Sequence, residues 1–447
     1  MGGRAQTRRV QAKSGARPSQ RVIARIAYNS VVLEWAIFAA LAAAGSGAAL
    51  VHGVRERKHA RLRLTELSHR LDTTIYLRGL TLVAEVDGCH VRISAQGLHA
   101  QGLAPSVVIA GRGPLRDVWI TAEHELIATS PLIEAPLVRT QDSGLDAHVH
   151  VRGSEPYVRA LLDESHRRRI YRLTTELGVS IAGGRVVWTP SDAVWDRPDG
   201  LSHIARTIRE LTSLATALDV SDADIPRRLQ HNVATDPTPQ VRLANLCTLI
   251  RVFPTALETV EAARIGLLDD DPNIRFVAAR HLPVDSRRVL REIATSAEHH
   301  PELRARAIEI LATRFGAETI GKPQLLRMSF AKDPRILAAA TRALGLLVDE
   351  ESETRLLEIV ARRDTGLRLL AIKALGRSGT LRAVPSLLPY TRGLLLDAKT
   401  RKAAAQAVSQ IQKRCADPDF GHISLVDIGE HGQLTITEET EARSPAA

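Results

Sequence analysis

Aromatic side chains make up only 3% of the 447 residues. A chain so poor in rings lacks the stacking platforms that readers of single-stranded nucleic acid use, so its net charge of +10 needs another explanation. Cysteine is scarcer still. Cys89, Cys247 and Cys415 are widely separated and lack metal-type spacing, which argues against a disulfide framework or a zinc knuckle. Serine and cysteine nucleophile motifs, glycine-rich phosphate loops and a paired-carboxylate signature are also missing. No catalytic residue, metal site or cofactor is therefore expected. The length exceeds one ordinary core and points to two or three domains, and the abundance of Ala, Leu and Arg favours helices.

What is present is a repeat. From residue 222 to 415 a helical phrase, a turn and a second helical phrase return with a period of about 30 residues, as stacked helix pairs require. The turns are Asp236-Pro237, Asp271-Pro272, His300-Pro301, Asp333-Pro334, Asp364-Thr365 and Asp397-Ala398. The answering positions are Arg242, Arg275, Arg304, Leu337, Arg368 and Arg401. In one unit Leu257, Val260, Ala263, Leu267 and Leu268 form a single helical stripe. Pro272 then suits the first turn of the next helix, with Asp271 placed to cap it and Phe276, Val277, Ala279 and Leu282 continuing the apolar face.

The run Asp271-Pro272-Asn273-Ile274-Arg275 with Ala278-Ala279, echoed at Asp236 to Ala244 and Asp364 to Ala371, resembles HEAT repeats of the short bacterial kind. That resemblance implies an all-α solenoid. It also implies an internal ladder of turn acid and second-helix arginine, a role that falls on Asp271 with Arg275, Asp364 with Arg368 and Asp397 with Arg401. His300 in place of the acid and Leu337 in place of the arginine should weaken it locally. Such solenoids serve many partners, so the likeness speaks to fold rather than function.

Apportioned along the chain, residues 1–70 carry +10, the middle −3, the repeats +9 and the segment after Cys415 −6. Residues 1–30 read as a basic disordered arm. The apolar run within 31–54, from Trp35 to Val54, is long enough for one transmembrane helix, bounded by Glu34 and by Arg55, Arg57 and Lys58. Competing readings are a buried soluble helix and a cleaved signal peptide, the latter opposed by the basic cluster just after it. Counting charges near the membrane places the bulk of the chain in the cytoplasm. Ala40, Ala44 and Ala48 on one stripe would admit a second helix and hence a homodimer, although they also read simply as low-cost helix residues.

A charged connector at 55–70 leads to an α+β domain at 71–190. Strands are expected at Leu80 to Val86 and His90 to Ser94 around Asp87-Gly88, at Ser106 to Ala110, Val118 to Thr121 and Ala147 to Val151, and at Val179 to Ile181 and Arg185 to Trp188 around Gly183-Gly184. A helix is expected from Glu155 to Thr175, bent near Asp163. Parts of this region resemble uncharacterised domains found beside membrane anchors in bacterial proteins. His148 and His150 share a strand face, with His90, His99, His124 and His166 elsewhere; solvent-facing residues are the expectation rather than metal ligands.

A linking amphipathic helix at 191–221 carries Leu201, Ile204, Ile208, Leu211, Leu214 and Leu218 on one side. The acidic tail, 416–447, twice alternates apolar and polar residues, at Gly421 to Asp427 and Gly432 to Glu438. It reads either as a strand-forming peptide that docks on a partner or on the basic solenoid, or as a disordered tail.

These features together predict a multidomain, membrane-tethered scaffold or adaptor that holds a protein partner on its repeats. Second helices usually line the concave side of such a stack, which makes Arg280, Arg306, Arg342, Lys373 and Gln406 the partner-binding candidates. A HEAT-like lyase acting on a cofactor-bearing protein, and weak nucleic-acid binding, are the alternative classes.

Overall fold

A computed structural model describes residues 54–72, 75–99, 102–110, 118–123, 134–182, 184–191, 194–195, 197–282, 286–392 and 397–415. The expected basic arm, the acidic tail and all of the expected membrane helix but Val54 lie outside them. Among the described residues no helix is long and apolar enough to cross a membrane.

In chain order the elements are α1 (54–71), β1 (Ile75–Arg78), β2 (Thr81–Val86), β3 (Cys89–His99), β4 (Gly102–Ala110), β5 (Trp119–Ala122), α2 (Ser143–Asp146), β6 (Val149–Arg152), α3 (Glu155–Leu161), α4 (Glu164–Leu177), β7 (Ser180–Ala182), β8 (Arg185–Trp188) and α5 (Gly200–Ala217). Helices alone follow: α6 (Ile225–Thr235), α7 (Pro239–Val252), α8 (Leu257–Gly266), α9 (Pro272–His281), α10 (Ser286–Thr295), α11 (Pro301–Ile310), α12 (Lys322–Met328), α13 (Pro334–Leu344), α14 (Glu350–Val360), α15 (Thr365–Ser378), α16 (Val384–Arg392) and α17 (Ala398–Cys415). An α+β region is thus succeeded by an all-α one. Two compact units emerge, 1–116 with 176–219 and 117–175 with 220–447.

The first unit is an antiparallel sheet in the order β1-β2-β3-β4-β8-β7 with α1 and α5. Asp87 and Gly88 both take positive φ, 49° and 74°, which matches the twist a two-residue hairpin needs and pins the register Val86↔Cys89. Alternation then sends Leu82, Ala84 and Val86, with Val91 and Ile93 opposite, into the core. α5 buries Leu201, Ile204, Ile208, Leu211 and Leu214 and packs on β3 and β4. The charged connector expected after residue 54 is an amphipathic helix that contributes to this core: Ala60, Leu64, Leu67 and Leu71 are buried at helical spacing. Arg63 holds it by stacking 5.7 Å from the Trp195 ring and donating to the carbonyls of Trp195 and Arg197.

The second unit contains the β5–β6 pair, the helices α2 to α4, and six helical hairpins, α6/α7 to α16/α17. Partners pack within each hairpin, and the second helices α7, α9, α11, α13, α15 and α17 also pack on one another in succession. This is the solenoid-like arrangement that the period predicts. Close approach is built in at Gly345, where a Cβ would stand 2.5 Å from that of Ala374 on the next second helix.

Candidate functional site

The turn residues cap the second helices. The Asp271 carboxylate accepts from the N–H groups of Asn273 and Ile274, Asp364 from Leu367, Asp333 from Arg335 and Asp397 from Thr400. His300 does the same through Nδ1 for Glu302, which is how an imidazole fills the acid's place. Two of the answering arginines, Arg275 and Arg368, have a different task from the expected pairing. Arg275 donates to the carbonyls of Asp269 and Asp270 at 2.9 and 3.0 Å, and Arg368 to those of Val360 and Arg362. Each arginine closes its own turn by satisfying orphan carbonyls, because the adjacent aspartate is already committed to the helix N-terminus. A pair linking successive turns does occur at Arg242, whose guanidinium is bidentate to Asp269 at 2.8 Å on both arms while also donating to Asp236 and Pro237 carbonyls.

The same grammar recurs one hairpin earlier. Asp163-Glu164-Ser165-His166-Arg167 has the acid-to-arginine spacing of Asp271 to Arg275. Asp163 caps the N–H of His166 at 2.9 Å, and Arg167 donates to the Leu162 carbonyl, five residues back, as Arg275 does to Asp270. The rest of its guanidinium grips Asp236 at 2.7 and 3.1 Å and Asp142 at 2.9 Å. α3 packs against α6 and α7, and the Asn232 side chain donates to the Arg159 carbonyl at 2.9 Å. The helix expected within the β-containing domain is therefore the leading hairpin of the helical array. The spacing was visible in the sequence, but turn proline and the regular period were both missing there.

Across the repeats the two helix layers differ sharply in charge. The six second helices hold sixteen lysines and arginines against two carboxylates, Glu302 and Glu309, whereas the six first helices hold ten against seven. Arg280, Arg306, Arg342, Lys373 and Gln406 are all exposed on the second layer. Two of them meet. Arg306 and Arg342 line a groove between α11 and α13 of about 350 Å³, which continues past Glu309 and Arg342 into one of about 320 Å³ bounded by Arg377. Its floor is Ala312, Ala339, Ala343 and the 40%-exposed Leu346. Arg280, Lys373 and Gln406 line neither section.

A row of arginines borders this layer. Arg314, on a π-turn that extends α11, donates to the Arg280 carbonyl at the end of α9. Arg377 donates to the Arg342 carbonyl at the end of α13, and Arg414 to the Gly376 and Gly379 carbonyls at the end of α15. In each case a cation rests on the negative end of the preceding second helix, where it is electrostatically favoured. The signal available in sequence was an arginine recurring some 34 to 38 residues after its acceptor.

Other groups are not gathered into a reactive site. His148 stacks edgewise on Tyr171 with centroids 5.6 Å apart, and His166 Nδ1 lies 2.7 Å from Asp163. No cluster of three His, Cys, Asp or Glu side chains that could hold a metal occurs among the described residues. On the first-helix layer a shallow hollow of about 550 Å³ contains Lys322, Glu351 and Phe330, an exposed ring with the Arg355 guanidinium 3.4 Å from its centroid.

No protein-family profile matches this chain, and no curated protein matches it. Among solved structures, an engineered protein determined by the Northeast Structural Genomics Consortium aligns with 43% of this chain and 81% of its own at 17% identity. Its TM-score is 0.21, too low for that likeness to carry any argument.

Proposed function

We propose that this protein is a membrane-tethered scaffold whose second-helix face holds an acidic segment of a protein partner. The tether is the apolar run at 35–54. The observation that carries the reading is the division of charge between the helix layers, sixteen cations to two carboxylates on the second helices. A face of one sign raises the local concentration of oppositely charged partners and speeds encounter. The alanine and leucine floor adds apolar surface between the charges, as the centre of a protein interface requires.

A protein occupant is favoured over a single-stranded nucleic acid by one further feature. The six second helices contain a single aromatic, Phe276, and it is buried at 5% exposure, so the face offers no ring for base stacking. Pull-down after mild detergent extraction tests the reading. A stoichiometric acidic protein, lost when Arg280, Arg306 and Lys373 are changed together to Glu, is the expected result. Nuclease-sensitive material, a co-purifying chromophore, or recovery indifferent to the charge reversal would overturn it.

A further inference from the structure

The groove between α11, α13 and α15 has an arginine-rich rim over an alanine floor. We propose that residues 416–447 of this same chain occupy it as an extended, acidic segment, an inference that rests on the reading of the second-helix face as a docking surface.

Three observations converge. The first is charge: the segment carries seven carboxylates and one arginine, Arg443, while the groove is rimmed by Arg306, Arg335, Arg342 and Arg377, of which Arg306 pairs with Glu302, Arg342 with Glu309 and Arg335 with Asp333, so that the rim keeps a positive balance through Arg377. The second is the point of departure. α17 packs on α15, and Arg414, one residue before its end, donates to the carbonyls of Gly376 and Gly379, which flank Arg377 closely in sequence. The segment therefore leaves the repeats beside the groove's rim. Packed helices are about 8–10 Å apart, so α13 is about 10 Å and α11 about 20 Å beyond α15. Six residues, from Ala416 to Gly421, span up to about 20 Å when extended. Reach is sufficient to bring Ile423 over the alanine floor.

The third is periodicity. Ile423 and Leu425, then Leu434 and Ile436, alternate with polar residues, and an extended chain turns such residues to one side every other position. In each run the face that carries the apolar pair ends in a carboxylate, Asp427 two residues after Leu425 and Glu438 two residues after Ile436, so either pair would meet Ala339, Ala343 and Leu346 with its acid reaching the arginine rim beyond that floor. The occupant then competes with an acidic partner for the same cations, and the partner gains the face only by displacing it.

A fluorescent peptide spanning Gly421 to Glu441 serves as the probe, titrated into the full chain in mild detergent and into a full-length variant whose seven tail carboxylates are replaced by their amides. Binding to the amide variant at least tenfold tighter than to the parent, falling several-fold between 50 mM and 500 mM salt and lost on adding R306E with R342E, is the expected result. Equal affinity for parent and amide variant, or no effect of the two reversals while melting is unchanged, would overturn the proposal. A parent chain that sediments as a dimer and becomes monomeric with the amide tail would also overturn it, since the segment would then lie on a second copy. If R306E with R342E abolishes capture of an acidic partner yet the peptide fails to bind the amide variant, the docking face stands and only its internal occupant is refuted.

Discussion

Arg167 and Asp236 meet at 2.7 and 3.1 Å with their side chains 2% and 1% exposed, although 69 residues separate them in the chain. The pair joins the leading hairpin to the first regular turn of the repeats. Asp236 also accepts from the Thr238 N–H at 2.9 Å, and Arg167 from its other side engages Asp142, so each partner is hydrogen-bonded on more than one edge. Breaking such a pair leaves a buried charge without compensation.

Replacing Arg167 by Ala is expected to destabilise the second unit by about 3–5 kcal/mol. Urea unfolding followed by circular dichroism measures it. The double change R167M with D236L should recover most of that loss, because it removes both charges and keeps volume; a double variant as unstable as the two single losses combined would contradict the assignment.

The two turn arginines should differ in cost. Arg242 makes a bidentate contact with a 7%-exposed carboxylate, whereas Arg275 mainly satisfies turn carbonyls and reaches Glu292 only at 3.6 Å. Arg242→Ala is expected to cost more than Arg275→Ala, with the latter about 1–3 kcal/mol. Equal melting temperatures for the two variants would show that the cross-turn pair contributes nothing of its own.

Acid should loosen the leading hairpins. Burial would raise the carboxyls of Asp142, Asp163 and Asp269, but hydrogen bonds from Arg167 to the first, His166 to the second and Arg242 to the third outweigh it and hold each below the ordinary carboxylate range. A depressed folded pKa gives stability that is complete above the unfolded value of about 3.9 and is lost as pH falls through the folded value. Urea midpoints should therefore be steady between pH 5 and 7 and decline below about pH 4, with a shallower decline in Asp163→Asn.

Gly345→Ala should be disruptive out of proportion to one methyl. Its Cβ would fall 2.5 Å from the Cβ and 2.7 Å from the Cα of Ala374, and the backbone of α15 cannot retreat without moving its neighbours. A loss of about 1–3 kcal/mol is expected, read from thermal or urea unfolding. An unchanged midpoint would mean that α13 and α15 are less tightly apposed.

The proposed tether can be tested by fractionation. The intact chain is expected to pellet with membranes and resist carbonate extraction, because the run at 35–54 matches bilayer thickness. Recovery of the full-length protein in the supernatant would remove the anchor from the proposed function.

The sequence by itself determined the hairpins. Two-residue turns at Asp87-Gly88 and turn caps at Asp271, Asp364 and Asp397 are local devices, set by φ preference and by the reach of a carboxylate to an N–H two or three residues away, so they are legible without a fold. The charge of each second helix was equally available. What tertiary structure decided was allegiance and partnership. Residues 155–161 adjoin strands in the chain but pack on α6 and α7, and that packing, with the Arg167–Asp236 pair, turns the Asp163–Arg167 spacing into a repeat. The arginines could pair with several nearby acids; burial and geometry sent Arg242 to Asp269, Arg167 to Asp236, and Arg314, Arg377 and Arg414 to carbonyls of the helix before. A guanidinium reaches in many directions from its own backbone, so its partner is fixed by what the fold brings within hydrogen-bonding distance and seals from water.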